Sequence, residues 1–140
     1  MRRRATIILH WLNLMLLLFV LGDGGATVWL SLAYAAFALS MCALAAIFGL
    51  MHGPGPKLDG AFRALHPWLH RGLYLLLGWG AVALVAETLA RPLPGPEART
   101  LLLALLACAA IHAVFNLWRH TALGDGALRR MTPRSLHKIL

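Results

Sequence analysis

Residues 98–120, ARTLLLALLACAAIHAVFNLWRH, restrict the fold more than any other part of the chain. They are mostly apolar helix formers, and at about 1.5 Å per residue they suffice to cross a hydrocarbon core of about 30 Å. One ionisable residue, His112, lies inside the run, and Asn116 follows four residues later on the same helix face. Arg119 and His120 then mark a boundary with water. An imidazole in hydrocarbon is costly and usually faces a bundle interior. The chain is therefore expected to be arranged so that His112 finds a partner.

Three further apolar runs, about residues 5–22, 27–51 and 67–90, accompany this one, and a basic tail occupies 121–140. Hydrophobic residues make up 60% of the chain and charged residues 13%, with a mean hydropathy of +0.72. A typical globular protein carries about 25% charged residues, so a soluble domain is excluded. The expectation is an all-α, four-helix transmembrane bundle, up-down-up-down, forming a single membrane domain over residues 1–140.

The net charge of +8 could suggest nucleic acid, but its distribution points to lipid. Eleven of the thirteen Lys and Arg residues fall in segments 1–9, 52–71 and 119–140. The other two connections hold only Arg91 and Arg99, beside Asp23, Glu87 and Glu97. This is the positive-inside distribution of a four-span protein with both termini cytoplasmic. Attraction to anionic lipid follows from it, and no nucleic-acid partner is expected. The basic, then apolar, N-terminus also has the outline of a signal peptide. Its apolar core is longer than usual and carries His10 and Asn13, so it is read as the first span. Cys42 and Cys108 lie in apolar runs without metal-site spacing and read as ordinary buried thiols.

The smaller features fit this frame. Ser31, Ser40, Cys42 and Gly49 in the second run are small enough for close helix approach. The segment HGPGPKLDG, residues 52–60, ends that helix. Residues 59–69 are partly amphipathic and are expected to lie at the cytoplasmic interface. His66 and His70 share a face, and Trp68 and Arg71 assign them to the interface as well. His52 and His120 are expected to be interfacial anchors too. Trp11, Trp29, Trp68 and Trp118 read as an aromatic belt, and Trp79 as mid-span packing. Glu87 and Arg91, four apart, can pair on the surface of the third helix.

Depth singles out two histidines. His10 lies six residues in from Arg4, about 9 Å at the helical rise. His112 lies seven residues in from Arg119, about 10 Å by the same rise. They are the two histidines inside apolar helices, at matching depth on the first and last spans, which can face each other across a four-helix core. Two neutral imidazoles facing each other in a dry bundle suit the two axial positions of a haem iron. In that reading His10 and His112 are the metal ligands, and the site favours electron transfer because no open position remains. Arg71, Arg119, His66, His70 and His120 are then available to haem propionates. Asn13 and Asn116 are available to hold water or set ligand tautomers. Unrelated interhelical hydrogen bonding, a zinc site and a proton relay are the alternatives for the same residues.

Several motifs resemble the bacterial cytochrome b561 family, which is similar to the b-type cytochrome subunits of hydrogenases. They are LHW at 9–11, His66 and His70 ahead of LYLLL at 73–77, the Ile111–His112 pair, and RRMTP at 129–133 within a DGALRRM-containing tail. The resemblance covers essentially the whole chain. It implies four spans of the bacterial inner membrane and electron exchange with quinone, and some relatives oxidise superoxide. His10 and His112 match the ligands of that family's cytoplasmic haem, and His70 matches a histidine near it. The family's second, periplasmic haem uses histidines early in spans two and four. Here TVWLSLAYAAF and ARTLLLALLA contain none, and Met41 and Met51 lie in the wrong half. One haem b, near the cytoplasmic face, is expected, held by His10 and His112 with His70, Asn116 and Arg71 around it. Quinone or a partner in a larger membrane redox complex would exchange electrons with it. A structural or accessory subunit with reduced or no redox role is the competing expectation, and a superoxide-to-quinone oxidoreductase a third.

Overall fold

A computed structural model describes residues 2–50, 53, 55, 57–133 and 137. Met51, His52, Arg134 and Lys138, which entered the sequence reading, lie outside the described residues. The chain forms an all-α four-helix bundle: α1 (Arg2–Asp23), α2 (Val28–Phe48), α3 (Gly60–Thr88) and α4 (Ala98–Thr121), followed by a short α5 (Ala127–Met131). Each of the four long helices is long and apolar enough to cross a membrane. Short connections make the order up-down-up-down. Consecutive helices pack along their length, whereas α1 and α4 meet only sparsely. The bundle thus has one loose seam. The end where the chain enters at Arg2 and leaves after Thr121 is called the basic end below, and the opposite one the distal end.

Local chemistry sets the helix ends. Gly24 and Gly25 take φ of +69° and +78° after α1, and Gly49 takes +74° after α2, a region other L-residues seldom adopt. The Asp23 carboxylate ties the first turn by accepting from the Thr27 backbone N–H at 2.7 Å and from its hydroxyl at 3.2 Å.

The third helix departs from expectation. Residues 60–69 are not a separate interfacial stretch but the opening turns of a 29-residue helix that runs through Pro67. At about 1.5 Å per residue this helix is about 43 Å long, more than a bilayer core of about 30 Å. Glu87 does not pair along the helix with Arg91. Its Oε1 accepts the backbone N–H of Ala98 at 2.7 Å, satisfying a donor that the start of α4 would otherwise leave exposed.

The distal half is closed. Leu17, Val20, Tyr34, Ala38, Ala81 and Leu102 are all buried there in one apolar cluster. Small residues let the backbones approach: a Cβ added to Gly80 would lie 3.1 Å from Leu102 Cδ2. Trp79, expected to pack mid-span, is 47% exposed and faces outward.

Candidate cofactor site

Towards the basic end the same four helices separate around a cavity of about 370 Å³, within the range of about 300–1,000 Å³ usual for small-molecule sites. His10 from α1, His66 and His70 from α3, and His112 from α4 all line it. The sparse contact between α1 and α4 leaves the space, so the two histidines of matching depth stand on the walls of one chamber. Half of the remaining lining residues are leucine and alanine.

The imidazoles are held in different ways. His70 Nδ1 is 2.8 Å from the His66 carbonyl oxygen. A carbonyl only accepts, so Nδ1 carries the hydrogen and the neutral ring keeps its lone pair at Nε2. The His70 ring meets His112 edge-on, with centroids 4.9 Å apart and planes at 85°. Its other neighbour is His66, at 4.3 Å between centroids. Asn116 donates to the His112 carbonyl at 2.8 Å, and its amide nitrogen lies 3.2 Å and 3.3 Å from the two ring nitrogens. His112 is thus flanked by Asn116 on its own helix and by His70 from α3. His10 stands edge-on to Trp11, 5.6 Å between centroids.

Three expectations are corrected here. His66 is not an interfacial anchor: it is 4% exposed and belongs to the cavity wall, because α3 begins earlier than expected and carries it inside. Arg71 does not reach the cavity. It is exposed, with its guanidinium carbon 4.9 Å from the Trp68 ring centroid, where a cation is attracted to the aromatic face. Asn13 does not turn to a histidine. It bridges α1 to α2, donating to the Leu9 carbonyl at 2.8 Å and to the Phe37 carbonyl at 3.2 Å. His70 and Asn116 are brought to His112 as expected, and His120 does not line the cavity.

The sequence reading missed the roof. The tail is not merely a basic extension, because α5 folds back over the basic end and lines the cavity with Ala127, Leu128 and Met131. Trp11 Nε1 donates to the Met131 carbonyl at 2.9 Å, and Arg3 Nη2 to the carbonyls of Arg129 at 3.0 Å and Thr132 at 3.3 Å. Arg119, expected at the water boundary, is 1% exposed. Its Nε donates to Asp125 Oδ2 at 2.8 Å and its Nη2 to the same oxygen, in an ion pair whose side chains are 2% and 0% exposed. Arg130 donates to the Asp125 carbonyl at 3.2 Å. Gly55, at φ +85°, lies against both guanidiniums, and a Cβ there would come within 2.8 Å of Arg130 and 3.0 Å of Arg119. The one available signal was Asp125 between Gly124 and Gly126, a lone acid in a basic tail. A five-residue helix has too few turns to show a period.

Among the described residues, no group of three or more His, Cys, Asp or Glu side chains is arranged to hold a metal ion. Both cysteines are free and partly buried. No protein-family model, curated protein or solved structure matches the chain.

Proposed function

We propose that this chain is a membrane-embedded b-type cytochrome that binds one haem between His10 and His112 and exchanges electrons at its basic end. The observation that carries the reading is the pair of imidazoles, one from α1 and one from α4, on the walls of one largely apolar cavity. The residues present fit such a group. The walls are apolar where a porphyrin would replace side chains, the imidazoles are nitrogen donors suited to low-spin iron, and Arg119 and Arg130 line the basic end, where carboxylates would be neutralised. When bound, the haem supplies a one-electron iron couple.

The chain's own residues would do the rest. His10 and His112 would hold the haem iron through their ring nitrogens. Asn116 and His70 would fix the His112 ring, while α5 keeps water from the basic end. The resemblance to the cytochrome b561 family supports the same ligands. The charge distribution supports a cytoplasmic basic end in a bacterial inner membrane. The closed distal half, without histidine in the early turns of α2 and α4, supports a single haem. Electrons would then be passed on the cytoplasmic side, to quinone or to the redox centre of a partner in a larger membrane complex. An accessory subunit without redox chemistry is the alternative if haem is not retained.

The test is substitution with haem quantified per chain after purification in detergent. His10→Ala and His112→Ala should each abolish haem retention, and His120→Ala should leave it intact. Full haem content in either of the first two variants would refute the ligand assignment.

A further inference from the structure

The cavity continues past the histidines. His10, His70 and His112 each stand seven residues from a leucine that also lines it: Leu17, Leu77 and Leu105. Seven residues of helix span about 10 Å, so a second level lies some two turns deeper in the bundle. Its polar lining residues are Tyr74, which is partly buried, and two that are buried, Asn13 and Tyr34. Both line the cavity, at 6% and 0% exposure.

Each presents an oxygen without a partner among the described residues, Asn13 Oδ1 and Tyr34 Oη. The Asn13 nitrogen is already engaged, with the Leu9 and Phe37 carbonyls and with Met41 Sδ at 3.7 Å. That fixes the amide and leaves its oxygen as the free end. Phe37, whose carbonyl Asn13 bonds, is three residues along α2 from Tyr34, so Asn13 meets α2 about one turn from Tyr34. An amide oxygen can only accept, whereas a phenol donates as well. Oxygens buried in an apolar membrane interior without partners are costly and rare.

We propose that Asn13 and Tyr34 form a polar subsite at the cavity floor that takes a hydrogen-bearing oxygen, accepting from Tyr34 Oη–H and donating to Asn13 Oδ1. The inner edge of a haem b bears no hydroxyl, so the oxygen is that of a water molecule, and the proposal does not rest on the haem reading above.

The experiment is thermal unfolding of full-length Tyr34→Phe in detergent, as purified and again after haem extraction, against wild type in both states. If the phenol oxygen is bonded, its removal should lower Tm by about 3–6 °C. An equal fall in both states is expected of a bound water, and a fall confined to the loaded protein overturns the assignment, because the oxygen would then be bonded only in the presence of haem. An unchanged or raised Tm in both states overturns the proposal, because deleting an unpartnered buried oxygen is neutral or stabilising. A second readout does not depend on stability. The chain has two tyrosines, so ultraviolet resonance Raman in a Tyr74→Phe background reports Tyr34 alone. A donating phenol is expected, and a non-donating one contradicts the subsite. Wild type purified without haem would sink the cytochrome reading while leaving this proposal to be read on the same protein.

Discussion

Asp125 is the residue whose loss should damage the basic end most. Its carboxylate is wholly buried and faces Arg119, itself 1% exposed, through two donors on a single oxygen. Asp125→Ala removes the buried carboxylate that this guanidinium faces. Breaking one side of a buried pair costs about 3–5 kcal/mol, which is roughly 10²–10⁴-fold in the folding equilibrium. For a chain of this size each kcal/mol moves the midpoint by about 3–5 °C, so a fall of roughly 10–20 °C is expected. Asp125→Asn, which keeps an acceptor but no charge, should fall between the two. The double variant Arg119→Met/Asp125→Leu should recover much of the loss, because a well-packed apolar pair of similar volume is often as stable as a buried ion pair. Thermal unfolding of the four proteins in one detergent, followed by circular dichroism, decides the matter. A single variant within 1 °C of wild type, or a double variant worse than Asp125→Ala, would refute the reasoning.

Three further outcomes are expected. Trp11→Phe removes the indole donor to Met131 but keeps the ring; it should cost about 0.5–1.5 kcal/mol and raise protease sensitivity in residues 122–133, and equal cleavage rates would count against α5 being tied down by it. Gly80→Ala puts a Cβ 3.1 Å from Leu102 Cδ2 and should destabilise by about 1–3 kcal/mol; a raised Tm would mean that helix propensity outweighs the contact. Glu87→Ala removes the acceptor of the Ala98 N–H and should cost about 0.5–2 kcal/mol, as loss of a helix cap does. Glu87→Gln, which keeps an oxygen, should cost much less, and amide exchange at Ala98 separates the two.

The four spans were legible because hydrocarbon is an unforgiving solvent. Long apolar runs broken by Gly24–Gly25, the glycine-rich segment from 52 to 60 and the prolines after Arg91 leave little choice of fold. Helix ends came within a few residues for α1, α2 and α4. The third went wrong because Pro67 reads as a helix start, where its missing N–H costs nothing. In the fold that proline sits inside α3, which carries His66 into the cavity instead of along the surface. The proximity of His70 and Asn116 to His112 was legible for different reasons. Asn116 is one turn away on the same helix, whereas His70 needed the α3–α4 packing. Arg119 and Asp125 were not legible as a pair, since an arginine at the end of an apolar run ordinarily marks water. Only the return of the chain through Gly124 and Gly126 buries it.

The central claim is most directly tested by a reduced-minus-oxidised absorption spectrum of the detergent-purified chain, with haem quantified against protein. One b-type haem per chain with the bands of a low-spin, bis-imidazole iron is the predicted result. Protein that folds and purifies intact without haem would contradict the account, and His10 and His112 would then be packing residues of a structural subunit.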